Sequence, residues 1–290
     1  MKKQIVLTCI VLLLFSAGCH REKKSDTPAV ASSAERNSLQ ENHLLGKVKR
    51  VTNTKYMILP LEGGRDSLVF VATNVETYNE AGWLSGNCMT NSAGDTIYTT
   101  RISFDAKGHV VRSEQCDRDG NVKQHYLYQY DENGHRTQER YYQNDSLMRE
   151  QNCENDANGN VERISVTEKG EHYFINYTNN PSGLPVLIEW VSPKSDEGTY
   201  MRSSIEYDAK GNVINRSMAL NGRNVEYYHA QYNSDGHLLK EVYQRSLPGQ
   251  LEEVTTEYSK HDSQGNWTSQ ESTRNGVRQY VIERKIEYYH

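Results

Sequence analysis

After residue 43, apolar and polar positions alternate in short runs, and no apolar stripe with the helical period of 3.6 appears. In Tyr126–Tyr130 the tyrosines at 126, 128 and 130 share one face, with Leu127 and Gln129 on the other. Tight-turn pairs punctuate these runs: Gly94-Asp95, Asp119-Gly120-Asn121, Asn144-Asp145, Lys169-Gly170, Asn221-Gly222 and Asn275-Gly276. Asn-Gly and Asp-Gly between alternating runs are the strongest short-range hairpin signal. The pattern predicts an all-β chain.

A second turn signal recurs at longer range. Its form is aromatic, Asp or Asn, two variable residues, Gly, then His, Asn or Trp. It occurs as Tyr78-Asn79, Phe104-Asp105, Tyr130-Asp131, Tyr207-Asp208, Tyr232-Asn233 and His261-Asp262, and without its aromatic as Asn155-Asp156. A stretched copy is read at 177–183. The glycines Gly82, Gly108, Gly134, Gly159, Gly183, Gly211, Gly236 and Gly265 are spaced by 26, 26, 25, 24, 28, 25 and 29 residues. Asp or Asn can bond its own backbone two residues on, and Gly takes positive φ without strain. Each unit of about 26 residues therefore reads as two antiparallel strands. Serial units give a meander of about 16–18 strands, expected as a twisted, curled open sheet or a partly closed wall. Two positions after the glycine stand Leu84, Val110, Val161, Val213, Leu238 and Trp267; Arg136 and Pro185 interrupt that column.

Composition narrows the function. Hydrophobic residues make up 36% of the 290, with 20 Tyr against only 4 Phe. Without residues 1–18 the share falls to about 34%, below the roughly 45–50% of ordinary globular domains. That argues against a thick-cored α/β enzyme. Tyrosine suits a thin sheet with both faces partly wet, because the ring buries area while the hydroxyl reaches water. The net charge is −5, and it becomes more negative once Lys2 and Lys3 are removed with a leader. This acidity disfavours nucleic acid as a partner.

The N-terminus carries an address. Lys2 and Lys3, the apolar run from Ile5 to Phe15 and the small residues Ser16-Ala17-Gly18 define a signal peptide over 1–18. Ser16-Ala17-Gly18-Cys19 resembles the lipobox of bacterial lipoproteins, although Ser16 stands where Leu is commonest. That resemblance implies acylation of Cys19 and a membrane partner held through the lipid, since each buried CH₂ contributes about 0.8 kcal/mol. Residues 19–43 read as the lipidated cysteine and a polar, disordered tether. Residues 44–290 read as one β-repeat domain, with the repeats at 78–290. His20 after the cysteine is unlike the inner-membrane retention signal, so the expected place is the outer membrane facing the periplasm rather than the cell surface.

The Tyr-Asp-x-x-Gly units resemble the YD, or RHS-type, repeat, and Leu45-Gly46-Lys47-Val48-Lys49 before a strand resembles the lead-in of repeat lipoproteins of Bacteroidetes. Large RHS proteins wind such repeats into a hollow shell around a toxin. This chain is too short for a comparable shell, so the resemblance implies architecture far more than activity.

No catalytic constellation is found, and no cofactor is expected. Cys88 and Cys116 fall in equivalent strands of successive repeats, about 9.6 Å apart by strand spacing and too far for a disulfide. Cys153 lies in a different strand type. His109, His135 and His237 are read as turn residues that tolerate the left-handed region and not as a metal ladder, since Asn160, Asn212 and Asn266 share the position. Asp117-Arg118-Asp119-Gly120 and Asp156-Ala157-Asn158-Gly159 read as Asx turns; a calcium loop would need a carboxylate where Tyr126 and Ser165 stand. Rows of Tyr, Trp and Arg are the residue types that bind other molecules. Trp83, Tyr141, Trp190, Tyr228 and Trp267 are the binding candidates, and Tyr141-Tyr142 and Tyr227-Tyr228 put one ring on each face. The last strand, Gln279 to Tyr289, is expected at a sheet edge unless the wall closes, with Glu283-Arg284-Lys285 to discourage unwanted pairing there. The expected function is a monomeric, non-catalytic envelope lipoprotein presenting a β-repeat surface to protein or glycan. Its alternatives are an immunity-like protein against an RHS-type toxin and a glycan-active enzyme with its site at 181–198.

Overall fold

The computed structural model describes residues 37–42, 44–61, 65–192, 199–247 and 250–290. The signal peptide, Cys19 and residues 20–36 of the tether lie outside the described residues. Eighteen strands follow one another from β1 (Val48–Pro60) to β18 (Val277–Tyr288), each antiparallel to its chain neighbours. The only helix among the described residues is α1 (Ser38–Glu41).

The expectation of an open or partly closed sheet is overturned by one seam. β1 pairs with β2 (Asp66–Tyr78) on one side and with β18 on the other, through Val51↔Ile286, Asn53↔Arg284 and Thr54↔Glu283. The wall is a closed 18-stranded barrel. The sequence pattern placed β18 at a sheet edge because its partner precedes the first repeat. The charges at 283–285 guard no edge. Glu283 and Lys285 alternate with Arg284, which stacks on Trp267 with its guanidinium carbon 3.3 Å from the ring centroid. Closure is also the way in which so many twisted strands avoid edges.

Each repeat turn is built alike. In the third of these turns, β6 (Val122–Tyr130) runs into β7 (Arg136–Gln143) through 131–135. Asp131 Oδ1 accepts the backbone N–H groups of Asn133 and His135 at 2.9 and 2.8 Å, while its Oδ2 meets His135 Nδ1 at 3.1 Å. Gly134 has φ +88° and supplies the left-handed step. The reading of the post-glycine histidines as left-handed residues is corrected: His109, His135 and His237 are not among the residues with positive φ. The side chains of His135 and His237 instead cover the glycine of the next repeat, while His109 stacks on Tyr130. A Cβ on Gly159 would meet His135 Nε2 at 2.3 Å, and one on Gly265 would meet His237 Nε2 at 2.3 Å. Asn160 covers Gly183 in the same way.

The stretched copy is corrected too. Asn180 starts a turn of ordinary length, accepting from Ser182 and Leu184 and closing at Gly183. The aromatic that opens a unit ties it to the one before: the hydroxyls of Tyr130, Tyr207 and Tyr232 donate to the carbonyls of Val110, Pro185 and Val213 at 2.8, 2.9 and 3.3 Å. Arg136 and Pro185, which interrupt the apolar column, still accept at the same position through their carbonyls, from Asn155 and Tyr207.

At the other end, Asn144-Asp145, Lys169-Gly170, Asn221-Gly222 and Asn275-Gly276 hold positive φ at both central residues. That is the type I′ geometry that matches strand twist.

Asn37 caps α1 and donates to the Ala81 carbonyl at 2.8 Å. Leu39 and Leu44 pack with Val48, Val51 and Tyr78 against Ile286 and Tyr288, covering the seam at the repeat-turn end. Asn266 fastens the same place, accepting from Leu45 N–H at 2.7 Å and donating to its carbonyl at 2.9 Å.

Candidate binding site on the inner wall

Strand registers divide the side chains into two faces. One carries Val51, Ala72, Tyr78, Glu139, Arg149, Gln151, Ile164, Val166, Ile175, Ile188, Ser203, Ala230 and Ser272, all buried. In a closed wall the side chains of the concave face converge, so this face is the inner one. Strand β8 (Ser146–Asn155), β9 (Val161–Glu168), β10 (Glu171–Asn179) and β11 (Pro185–Val191) supply its apolar part. Ile164, Val166, Ile175 and Ile188 pack there with Tyr173, Tyr177 and Trp190. Strands in extensive backbone contact are ladder neighbours throughout the described residues. Eighteen strands about 4.8 Å apart give a wall about 86 Å around, or about 27 Å across if round, before tilt widens it.

The outer face is different in kind. Arg140 meets Glu150 at 2.8 Å, Lys240 meets Glu257 at 3.0 Å, and Arg101 and Arg112 both lie beside Glu114. Arg202 and Arg278 pair with Glu189 and Glu271. A lipid-facing barrel has the reverse pattern, apolar outside and polar inside, and a charge at mid-membrane costs about 2–4 kcal/mol. No described helix is long and apolar enough to cross a membrane.

Four of the five binding candidates, Tyr141, Trp190, Tyr228 and Trp267, point inward and are half-buried. Tyr141 stacks on Tyr126 at 4.8 Å and donates to Gln124 at 2.9 Å. Beside it Arg149 lies 5.9 Å from the Tyr141 ring and meets Glu139, which also holds Arg136. Trp190 stands apart on β11, packed on the apolar cluster of Ile164, Val166, Ile175 and Ile188. In a second group Tyr228 donates to Glu241 at 2.6 Å, and Tyr258 donates to the other oxygen of the same carboxylate. The Tyr258 ring lies 5.1 Å from Trp267. Trp83 is separate: it sits in the rim turn, its backbone N–H donating to Asn79 Oδ1 at 2.9 Å. As read from the alternation, Tyr142 and Tyr227 face outward, toward His125 and Asn215.

Burial sets the electrostatics of the lumen. It pushes Tyr173 up to about 12, with Glu168 adding to the effect, and Tyr243 likewise to about 12, with Glu226 beside it. Tyr228 and Tyr258 are raised further, first by burial and then by Glu241. Burial pulls Arg284 down to about 10 against the opposing pull of Glu76. The inner charges are thus mostly paired, and the tyrosines stay neutral donors. Glu139, Arg149, Glu241, Tyr258 and Arg284 were missed by sequence reasoning. Their signal was parity: each shares a face with a neighbouring tyrosine or isoleucine.

Cys88 and Cys116 both stand opposite Thr99, on either side of it, which fixes them two strand spacings apart. Asp117 and Asp156 form Asx turns, each accepting two backbone N–H groups. No group of three or more metal-ligating side chains occurs among the described residues. Of 181–198, residues 185–191 are strand β11 and 193–198 lie outside the described residues.

No family model and no curated protein matches the chain. Among solved structures it is similar to a Tc holotoxin pore of Photorhabdus luminescens, with 19% identity and a TM-score of 0.37, covering 74% of this chain and 11% of that one. It is also similar to a porin-like protein from Bacteroides uniformis, with 16% identity and a TM-score of 0.43, covering 83% and 96%. A porin-like protein from Bacteroides vulgatus gives 11% identity and a TM-score of 0.34, covering 83% and 98%. The chain spans about a tenth of the toxin's length and nearly all of the two porin-like chains.

Proposed function

We propose that the chain is a non-catalytic, lipid-anchored envelope barrel that holds a glycan, or an extended protein segment, against its inner wall. The carrying observation is the set of inward aromatic rings, Tyr126–Tyr141 and Tyr228–Tyr258–Trp267, each edged by hydrogen-bonding side chains, with Trp190 on the apolar wall. Aromatic faces beside fixed donors and acceptors suit sugar rings, and Tyr, Trp and Arg are the usual anchors of recognition. Paired inner charges favour a neutral or weakly charged ligand. The ion-paired outer face favours a barrel in water, tethered through Cys19 and not embedded.

The test is tryptophan fluorescence of the purified chain titrated with neutral linear oligosaccharides and, separately, with uncharged extended peptides. The expected result is saturable binding of one class, weakened about fivefold or more by Trp190→Ala and unchanged by Tyr142→Ala on the outer face, consistent with about 1 kcal/mol per anchor. Saturation that ignores Trp190→Ala, Tyr141→Ala and Trp267→Ala would overturn the reading. So would turnover of the ligand.

A further inference from the structure

β1 and β2 are 13 residues each, whereas the strands from β3 (Leu84–Asn91) to β11 have 7 to 10. Only part of their length belongs to the wall. β18 accompanies β1 as far as Met57, opposite Tyr280, and β3 joins β2 only from Ala72, opposite Asn91. Beyond those points residues 58–60 and 66–68 form a two-stranded ribbon, paired by Ile58↔Leu68 and Leu59↔Ser67, while Val69 and Phe70 lie beside Met57 and Tyr56 and are free only on the edge away from β1. A lone ribbon of this kind is marginal in water.

Its composition makes exposure costly. Leu68, Val69, Phe70 and Val71 are four consecutive exposed apolar residues, with Leu68 51% exposed, and Met57, Leu59 and Leu61 are exposed on the partnering arm. Since successive side chains alternate, both faces of the ribbon are apolar. The β2 edge over 66–71 faces away from β1 and has no strand beside it among the described residues. Residues 67–72 carry no charge, so this edge lacks the lysine or glutamate that usually guards one.

The two features together select an occupant. A bilayer would cover the side chains but leave the edge N–H and C=O groups unsatisfied, at several kcal/mol each. Another β-strand satisfies both. We propose that residues 66–71 of two copies of this chain pair antiparallel about a two-fold axis, joining the two ribbons into one four-stranded sheet. The segment is self-complementary because Leu68–Val71 are uncharged and apolar on both faces, while Asp66 at its end is held by Arg278, and a two-fold contact presents the same patch from each side. The exposed apolar area is on the order of 500 Å² per copy, which puts the contact near the lower limit for a specific interface. A dimer formed this way replaces the monomer expected from sequence.

Cysteine cross-linking on the full chain in its envelope tests this. Leu68→Cys, Val69→Cys, Phe70→Cys and Val71→Cys are treated in turn with a short bifunctional maleimide, with the unsubstituted chain and Leu251→Cys as controls. Leu251 is also exposed, on another strand. Expected is a product of doubled mass at least fivefold above both controls for the positions nearest the axis. No excess at any position would overturn the proposal, as would equal excess at Leu251→Cys. Protection of these thiols from a water-soluble maleimide only while membranes are present would assign the ribbon to the bilayer and overturn it too. An unchanged urea midpoint for each variant shows that the barrel itself is intact.

Discussion

The side-chain amide of Asn155 donates to the backbone carbonyl of Arg136 at 3.1 Å, the bond that Tyr130 makes to Val110 in the preceding unit. Asn179 does the same to Val161 at 2.9 Å. The two units that lack the aromatic are therefore not degenerate copies. What the position requires is a donor that reaches the previous repeat, and a tyrosine hydroxyl or an asparagine amide can supply it. Tyr130, Tyr207 and Tyr232 fill this role among the 20 tyrosines of the chain.

Removing that donor has a measurable cost. Tyr130→Phe and Asn179→Ala should each lower stability by about 1 kcal/mol, the usual net worth of such a bond. Phe104→Tyr, which restores the donor where it is missing, should raise stability by a similar amount. Urea unfolding midpoints at constant slope check all three.

The rim glycines should differ in their tolerance of alanine. Gly108 has φ +91° with nothing near a new Cβ, so Gly108→Ala carries only backbone strain, about 1–2 kcal/mol. Gly159 has φ +84° and the His135 ring against it. Gly159→Ala should cost clearly more, and His135→Ala in the same chain should recover the difference. Equal costs at the two glycines in thermal unfolding would refute the stacking of repeat on repeat.

Acid should loosen the rim. Burial alone raises Asp131 and Asp156, but their hydrogen bonds to the residue after the glycine outweigh it and hold both below the usual range. Asp117 is brought to about 2, first by Lys123 and against some burial. A carboxyl lowered by folding adds stability above its unfolded value near 4 and loses it as pH falls through the folded value. Stability should therefore decline between about pH 4 and pH 2, as read by tyrosine fluorescence during acid titration.

Alkali should act on the lumen. Tyr173, Tyr243 and Tyr288 are pushed up to about 12, in each case first by burial and then by a neighbouring carboxylate. A phenol raised by folding adds stability below its unfolded value near 10 and loses it as pH rises through the folded value. Unfolding midpoints should fall between about pH 10 and pH 12, and the phenolate absorbance should rise in two phases.

The hairpins, their turns and the inward tyrosines were legible because alternation and Gly-Asn chemistry are local. Closure was not, since it depends on Val51 meeting Ile286 across almost the whole chain. The function of the post-glycine residue was hidden for a related reason. His135 acts on Gly159, one repeat away, and the local turn alone makes left-handed tolerance look sufficient. Candidate rings were found by residue type, but Glu139 and Glu241, which organise them, become visible only once register puts them on the same face.

The seam carries the whole account. Thr54 and Glu283 stand opposite each other on the outer face of β1 and β18, where antiparallel partners lie about 4.5–5.5 Å apart, within disulfide reach. In the chain carrying Thr54→Cys and Glu283→Cys, mild oxidation followed by peptide mass spectrometry should find the two positions joined within a single chain. Two free, maleimide-reactive thiols at 54 and 283 in the folded protein would mean that the wall stays open.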